Sequence, residues 1–375
     1  MRILLLGEYS NVHATLAAGL RQLGHTVTVV SNGDFWKNYP RDIDVTRKKG
    51  RWGGVQLMLK IASILPQLRG YDIVQLINPM FFELKAERLF PIYRFLRKHN
   101  KKFVLGAFGM DYYWVHENIT RMPLRYSDFN IGKTLRKDPE ATVYIKDWID
   151  TAKGRLNQEI ANNCDAIVAG LYEYWAIYQP LFPSKTTFIP FPIELKKAVL
   201  VPTDSKDASL SSEFKTPLKI FIGINKSRSA YKGTDIMLRA AQDISTQYSE
   251  KVQLSVAESL PFNEYVKAMN EADVILDQLY SYTPAMNALE AMSRGIIVVG
   301  GGEPENYEIL HESELRPIIN VEPNYDSVFH QLEHLVLHPE IIPTLKQQSI
   351  EYIRRHHDYL EVAAQYVKLY SSMLI

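Results

Sequence analysis

Short apolar runs alternate with longer segments of helical periodicity along the whole chain, and this alternation most constrains the fold. In the first half, the apolar runs predict strands at residues 3–6, 26–30, 73–76, 103–107, 166–169 and 187–189. In the second half, they predict strands at residues 220–222, 252–256, 274–276, 296–299 and 318–321. Strands separated by helices pair in parallel, with helices on both faces of the sheet. The pattern therefore predicts an α/β fold with two parallel sheets.

A polar stretch separates the two halves. Lys, Ser, Asp, Pro and Thr dominate residues 196–217, a composition typical of linkers. The 375 residues also exceed what one hydrophobic core usually fills. We therefore predict two Rossmann-like domains that meet at a cleft, where ligands bind at the carboxyl ends of the strands.

The bulk properties exclude several classes of protein. A net charge of +1 argues against nucleic-acid binding, which requires a strongly basic surface. Cys164 is the only cysteine, so a disulfide framework within one chain is impossible. The apolar start is too short for a signal peptide, and no apolar run reaches the length of a membrane span. These features favour a cytoplasmic location.

Two basic runs lie in the first third of the chain, at residues 47–51 and 97–102. Such runs are often ordinary solvated loops and helix ends. Alternatively, they form a patch that faces anionic lipid or a phosphorylated acceptor. The second interpretation predicts peripheral contact with the inner face of a membrane.

A cationic loop follows the first predicted strand of the second half. Lys226, Arg228 and Lys232 lie within seven residues, and Gly233 and Thr234 then begin a helix. Glycine permits close backbone approach, and a helix N-terminus favours anions. Three cations at such a junction suit a diphosphate and could stabilise it as a leaving group without a metal. A solvated surface loop is the alternative.

A carboxylate, Glu290, lies in a later helix of the same half that closes with Arg294 and Gly295. A carboxylate early in a helix is common because it complements the helix dipole. It could also accept hydrogen bonds from both ribose hydroxyls, each contributing roughly 1.5–3 kcal/mol. Together with the cationic loop, Glu290 predicts a site for a nucleoside diphosphate.

With these motifs, residues 219–302 resemble the retaining group-one glycosyltransferases of the GT-B fold; residues 1–111 resemble them less closely. The resemblance implies that Lys226 and Lys232 bind the diphosphate and that Glu290 holds the ribose. It also implies that the last helix crosses back to the first domain. The domains would then be residues 1–195 with 358–375, and residues 196–357.

The sequence departs from the family at one position. The first glutamate of the family's Glu-x7-Glu motif would fall at Tyr282. In the family this glutamate lies near the donor sugar. The contacts with the sugar then fall to Tyr282, to backbone amides of residues 281–286, or to Asn287. Glu303, after three glycines, is a further candidate acceptor for sugar hydroxyls, although a plain turn is an equal alternative.

The first half contributes the acceptor-side candidates. Asp111 follows a predicted strand, so its carboxylate should face the cleft and orient the acceptor hydroxyl, with His116 behind it. A capping role for Asp111 is the alternative. Gly7 would bring backbone close to the cleft, and His13 lies at the start of the first helix.

The leading prediction is a metal-independent, retaining glycosyltransferase without a cofactor, acting in the synthesis of cell-surface polysaccharide or another glycan. Its partners would be a nucleoside-diphosphate sugar and a saccharide or lipid-linked acceptor, but not nucleic acid. The family's front-face route needs no protein nucleophile, because the leaving phosphate takes the acceptor's proton. Two alternatives remain open: a GT-B sugar-nucleotide epimerase, and a binding protein that has lost turnover.

Overall fold

The computed structural model describes residues 1–195, 217–225, 228–258 and 260–375. Lys226 and all but the last residue of the predicted linker at 196–217 lie outside the described residues. Within the described residues, no helix is both long enough and apolar enough to span a bilayer.

The first lobe is built on a seven-stranded parallel sheet with the strand order β3-β2-β1-β4-β5-β8-β9. Its strands are β1 (Arg2–Leu6), β2 (Thr26–Ser31), β3 (Ile43–Asp44), β4 (Ile73–Leu76), β5 (Lys102–Ala107), β8 (Ala166–Ala169) and β9 (Thr186–Phe188). A small antiparallel hairpin, β6 (Asn130–Ile131) and β7 (Thr134–Leu135), lies apart from this sheet. The helices of this lobe are α1 (Val12–Gln22), α2 (Gly53–Ile64), α3 (Ala86–His99), α4 (Tyr112–Thr120), α5 (Pro139–Trp148), α6 (Ala152–Asn163) and α7 (Tyr172–Leu181).

The second lobe is built on a five-stranded parallel sheet with the order β11-β10-β12-β13-β14. Its strands are β10 (Leu218–Ile224), β11 (Val252–Glu258), β12 (Val274–Leu276), β13 (Ile297–Gly300) and β14 (Ile319–Asn320). Its helices are α8 (Ser229–Lys232), α9 (Thr234–Gln247), α10 (Phe262–Asn270), α11 (Met286–Met292), α12 (Pro304–Ile309), α13 (Tyr325–Leu337) and α14 (Ile342–His356). The two parallel sheets confirm the predicted fold class.

The central strands are buried on both faces, as parallel sheets covered by helices require. The hydrophobic core of the first lobe does not stop at the boundary of that lobe. It also contains Tyr231 and Tyr282, which belong to the second lobe. The two lobes therefore share buried aromatic surface at the carboxyl ends of their strands.

The last helix, α15 (Tyr359–Leu374), packs against α1 of the first lobe, as the resemblance to the GT-B glycosyltransferases implied. Gly19 of α1 permits this contact: a Cβ on Gly19 would lie 2.6 Å from the Tyr359 carbonyl oxygen and 2.8 Å from the Ala363 Cβ. The Tyr370 hydroxyl donates to Gln75 Oε1 on β4 (2.7 Å). Asp358 caps α15 by accepting from the backbone N–H groups of residues 360 and 361.

One predicted helix is wrong. The helical periodicity of residues 142–163 predicts one long helix, but the structure has α5 and α6 with a break between them. Asp150 lies in the left-handed region (φ 57°), and Thr151 caps α6 by accepting from the Gly154 N–H. A left-handed residue followed by an N-cap ends one helix and begins another.

Gly19→Ala should lower the free energy of unfolding by about 1–3 kcal/mol, because the added methyl overlaps backbone of α15. Chemical denaturation measures this change. Gly54→Ala in α2 is the matched control, since its added Cβ comes no closer than 3.7 Å to another residue. The control should be neutral or stabilising by about 0.5–1 kcal/mol. Equal effects of the two substitutions would contradict the tight α1–α15 contact.

Candidate functional site

The strand-to-helix junction after β10 is held against the loop after β12. Gly233 joins α8 to α9 with φ 73°, and a Cβ there would lie 2.6 Å from the Leu279 Cβ. The Leu279 N–H donates to the Lys232 carbonyl (3.0 Å). Glycine is therefore required at 233, and the position of Lys232 is fixed.

Lys232 lies in a partly buried, mixed electrostatic environment. Burial lowers the pKa of its ammonium group, and the nearby Asp277 carboxylate opposes this effect. Asp277 accepts from Asn287 Nδ2 (3.1 Å), and Asn287 Oδ1 accepts from the Tyr265 hydroxyl (3.1 Å). Asn287, predicted as a contact with the donor, thus belongs to a hydrogen-bonded network that includes Asp277, whose charge acts on Lys232.

Arg228 is the second described cation of the loop. Its guanidinium lies 5.4 Å from the ring centroid of Tyr231. Its Nε is buried and has no hydrogen-bond partner within the part of the chain that the structure describes. A buried cationic donor without a partner is costly, and an anionic ligand would satisfy it.

Glu290 lies on α11, three residues after Asn287, so the two side chains share a helix face. Its carboxylate pairs with Arg294, which also donates to Asn270 (2.7 Å), and it remains partly exposed. Burial raises the pKa of Tyr39 in the first lobe, and the charge of Glu290 adds to this effect. Lys37 lies two residues from Tyr39, and its positive charge adds to the lowering of the Lys232 pKa by burial. The charges of Lys232 and Glu290 therefore both interact with charges or hydroxyls of the same first-lobe loop, the one after β2.

Tyr282, the residue at the position of the family's first glutamate, is buried (1% exposed) in the contact between the lobes. Its hydroxyl accepts from the backbone N–H groups of Arg125 (2.7 Å) and Tyr126 (3.3 Å). Its ring lies 4.7 Å from that of Tyr126. The tyrosine thus packs against the first lobe rather than presenting a polar group to solvent.

A carboxylate of the first lobe, Glu173 at the start of α7, supports the loop on either side of Tyr282. It accepts from the backbone N–H groups of Tyr282 (2.6 Å) and Thr283 (3.1 Å) and from the Ser281 hydroxyl (2.9 Å). The Thr283 hydroxyl is a fourth donor. Burial raises the pKa of Glu173, and these donors oppose the shift. We call this cluster of Glu173 with residues 281–283 the interlobe nest.

Glu303 also lies in the contact between the lobes. Its two carboxylate oxygens accept from Arg125 Nη2 (2.7 Å) and the Tyr126 hydroxyl (2.5 Å). Arg125 pairs with Glu305 as well. A sugar hydroxyl that donates to Glu303 would compete with these two donors.

Arg136 makes a third polar contact between the lobes. Its Nη2 donates to the carbonyls of Ala230 (2.8 Å) and Tyr231 (3.1 Å), and its guanidinium lies 3.5 Å from the ring centroid of Tyr280. These carbonyls belong to α8, in the cationic loop. Arg136 therefore fixes the junction that carries Arg228 and Lys232.

Asp111 is fully buried and caps α4, which is the alternative that the sequence raised. Its oxygens accept from the Trp114 N–H (2.8 Å) and the Tyr178 hydroxyl (2.9 Å). Burial raises its pKa to about 7, and these bonds oppose the shift. The carboxylate has zero exposure, so it faces the core of the first lobe and not an open cleft.

The other first-lobe candidates also have partners within that lobe. The Gly7 carbonyl contacts His13 Nδ1 (2.8 Å), and His13 Nε2 lies 3.2 Å from Gln75 Nε2. Burial lowers the pKa of His13 to about 3, so the imidazole is neutral. His116 Nδ1 lies 3.0 Å from Glu117 Oε1, and its ring stacks on Tyr112.

Comparisons with solved structures identify the fold. Sucrose-phosphate synthase from Thermosynechococcus elongatus superposes with a TM-score of 0.63 at 14% identity, covering 100% of this chain and 99% of that one. Anabaena HepE in complex with UDP and glucose gives 0.58 at 13% identity, with coverages of 99% and 100%. UDP-GlcNAc 2-epimerase from Neisseria meningitidis bound to UDP-GlcNAc gives 0.53 at 12% identity, with coverages of 98% and 99%.

This chain therefore has a GT-B-like fold, and likeness at such low identity establishes no more than the fold. Comparison with family models gives no match, and comparison with curated protein sequences gives none either.

Sequence reasoning missed four first-lobe residues whose side chains make polar contacts with the second lobe: Glu173, Arg125, Tyr126 and Arg136. The only available signal was indirect: a tyrosine at 282, where the family has a carboxylate. The structure brings a carboxylate to that loop from the other lobe.

Glu173→Ala should lower the free energy of unfolding by about 2–4 kcal/mol, because it leaves buried N–H donors of residues 282 and 283 without an acceptor. Glu173→Gln, which keeps one acceptor oxygen, should cost less. Chemical denaturation measures both changes.

Glu159→Ala is the control for these variants, since Glu159 pairs with a largely exposed arginine and should contribute about 0–1 kcal/mol. If Glu173→Ala is no more harmful than this control, the nest does not stabilise the fold.

Proposed function

We propose that this protein is a retaining glycosyltransferase that uses a nucleoside-diphosphate sugar as donor. The observation that carries the proposal is the buried Nε of Arg228, which has no partner among the described residues, at the glycine-fixed junction that also carries Lys232. Cations at one end and a carboxylate at the other suit the two ends of a nucleoside diphosphate. The likeness to HepE, solved in complex with UDP and glucose, supports this choice of ligand.

In the proposed reaction, the bond between the anomeric carbon and the diphosphate oxygen breaks. A bond from that carbon to an acceptor hydroxyl oxygen forms on the same face of the sugar, and the hydroxyl proton moves to the departing diphosphate. Lys232, Arg228 and Lys226 stabilise the developing negative charge, and Glu290 accepts from the ribose hydroxyls. The acceptor is a saccharide or a lipid-linked sugar that enters from the first lobe.

A second candidate function is nucleotide-sugar binding without turnover. It is favoured by the interlobe nest and by Glu303, because the groups expected to contact the donor sugar are bonded to the first lobe instead. The likeness to UDP-GlcNAc 2-epimerase adds epimerisation as a further outcome to test.

Incubation with UDP-, GDP-, ADP- and TDP-sugars, with and without saccharide and lipid-linked acceptors, distinguishes these functions. Transfer releases nucleoside diphosphate and forms a glycoside of unchanged anomeric configuration. Epimerisation changes the sugar and leaves the nucleotide bound to it. Binding without any product supports the non-catalytic candidate, whereas absence of both binding and product would contradict the proposal.

The two ends of the site can be tested separately by calorimetry with UDP and with pyrophosphate. Lys232→Ala should weaken the binding of both ligands, about tenfold to hundredfold for one lost charged hydrogen bond. Glu290→Ala should weaken the binding of UDP and leave that of pyrophosphate unchanged, because pyrophosphate lacks ribose.

Lys219→Ala is the matched control for Lys232→Ala, since Lys219 is exposed and lies at the opposite end of β10. It should change neither affinity. If Glu290→Ala weakens pyrophosphate binding as strongly as UDP binding, Glu290 does not hold the ribose.

A further inference from the structure

Large apolar side chains are exposed at one corner of the first lobe. Phe35, Trp36 and Trp52 are 60%, 62% and 65% exposed. Phe35 also has a left-handed backbone (φ 59°), which is unusual for a bulky residue. Aromatic side chains normally contribute to a core or an interface, so several exposed together indicate a contact surface.

Helix α2 continues this surface. Trp52, Val55 and Leu59 are spaced by three and four residues, which places them on one helix face, and all three are exposed. The opposite face of α2 is buried through Leu57, Ile61 and other residues. The helix is therefore apolar on both faces, and only one of them contacts the lobe.

The aromatic loop and α2 are neighbours. Residues 35–37 follow β2, and residues 45–52 follow β3, which pairs with β2 at the edge of the sheet. The Thr46 hydroxyl donates to the Asn32 carbonyl (3.4 Å), so the two loops are in contact. Both loops leave the carboxyl ends of their strands and thus lie at the rim that faces the second lobe.

The first basic run lies between these apolar elements. Arg47, Lys48, Lys49 and Arg51 are exposed, and none forms an ion pair with a carboxylate of the described ranges. The guanidinium of Arg51 lies 5.9 Å from the ring centroid of Trp52. In the part of the chain that the structure describes, the Glu83 carboxylate accepts only from the backbone N–H of Arg47 (3.3 Å). Four cationic side chains without an ion pair among the described residues therefore lie beside exposed aromatic and aliphatic groups.

The second basic run has a different environment. Arg97 and Lys102 pair with Asp165 (3.3 and 3.6 Å), and Lys101 pairs with Asp72 (2.8 Å). This run lies at the end of α3 and the start of β5, at the amino ends of the strands and thus on the side of the sheet opposite the rim. The structure thus distinguishes two runs that are equivalent in sequence.

We propose that the surface formed by Phe35, Trp36, Trp52, Val55 and Leu59 with residues 47–51 docks on an anionic membrane. Tryptophan and phenylalanine insert at the boundary between headgroups and acyl chains, while adjacent cations attract anionic headgroups. This inference rests on the proposed function, because membrane docking would serve transfer to a lipid-linked acceptor. Its test measures membrane binding and does not require turnover.

The protein is sedimented with two kinds of vesicle. One contains phosphatidylcholine alone, and the other contains phosphatidylcholine and phosphatidylglycerol in equal parts. Binding is expected to the anionic vesicles at about 0.1 M salt and should weaken strongly near 1 M salt. Replacing Arg47, Lys48, Lys49 and Arg51 by glutamine should weaken binding by roughly 600-fold, since each such cation strengthens it roughly fivefold. The matched control replaces Arg97, Lys98, Lys101 and Lys102 by glutamine and should change binding much less.

Quenching of tryptophan fluorescence by brominated lipid tests insertion. Of the five tryptophans, Trp114 and Trp148 are buried and Trp175 is half-buried near Tyr172 of α7, so most quenching should come from Trp36 and Trp52. Quenching should be lost in a Trp36→Phe, Trp52→Phe double variant that still sediments with anionic vesicles.

The proposal is overturned if the wild-type protein does not sediment with anionic vesicles at low salt. It is also overturned if both quadruple variants lose binding equally, which would indicate a non-specific effect of charge. Circular dichroism checks that each variant folds. UDP calorimetry on the same variants should be unchanged, so failure of membrane docking is distinguishable from failure of the proposed function.

Discussion

The buried carboxylate of Glu173 is the contact on which the arrangement of the two lobes most depends. Removing a carboxylate from water is costly, and the cost is offset only when several donors satisfy its oxygens. Here two backbone N–H groups and two hydroxyls of residues 281–283 do so, all from the other lobe. Separation of the lobes would leave these donors and the carboxylate without partners unless water replaced them. Arg136, which donates to a carbonyl of α8, and Arg125, which donates to Glu303, add further polar contacts between the lobes. The shared aromatic core around Tyr231 and Tyr282 gives a second, apolar reason for the lobes to stay together.

These contacts divide the candidate site into two parts that differ in availability. On the nucleotide side, the Nε of Arg228 has no partner among the described residues, and Glu290, proposed to hold the ribose, remains partly exposed. On the sugar side, the amides of residues 282 and 283 and both oxygens of Glu303 are already bonded to the first lobe. A nucleotide could therefore bind without disturbing the contact between lobes, whereas a sugar that uses those groups would have to displace it. Catalysis would then require a rearrangement of residues 281–283, and a protein that only binds nucleotide would not. The strength of the nest thus bears directly on which proposed function is correct.

The sequence predicted both sheets because each buried parallel strand is a short apolar run between helices, a local signal. It also predicted Lys232, Gly233 and Glu290 at one rim, because topology places the carboxyl ends of parallel strands together. The nest could not be predicted in this way. Glu173 is more than one hundred residues from the loop it supports, and two of its donors are backbone N–H groups, which every non-proline residue has. Asp111 shows the opposite difficulty: its position at a strand end indicated the cleft, but its side chain turns back to cap α4. Strand ends specify where a residue lies, whereas the direction of its side chain depends on partners that no local pattern reveals.

The loop after β2 connects the candidate site to the proposed membrane surface. The charge of Lys37 contributes to lowering the pKa of Lys232, and the charge of Glu290 contributes to raising the pKa of Tyr39. Phe35 and Trp36, immediately before them, are exposed. Asp34 forms an ion pair with Lys37 (2.6 Å) and accepts from the Ser10 N–H (2.9 Å). These bonds hold this loop against the loop that follows β1. The charged and polar residues of this loop thus interact electrostatically with the candidate site, and its exposed aromatic residues would contact lipid. An acceptor anchored in a membrane would need its reactive hydroxyl only a short distance from the headgroup layer, and this loop provides that short distance. The same geometry would be unnecessary for an acceptor free in solution, so the exposed aromatic residues favour a lipid-linked acceptor over a free saccharide.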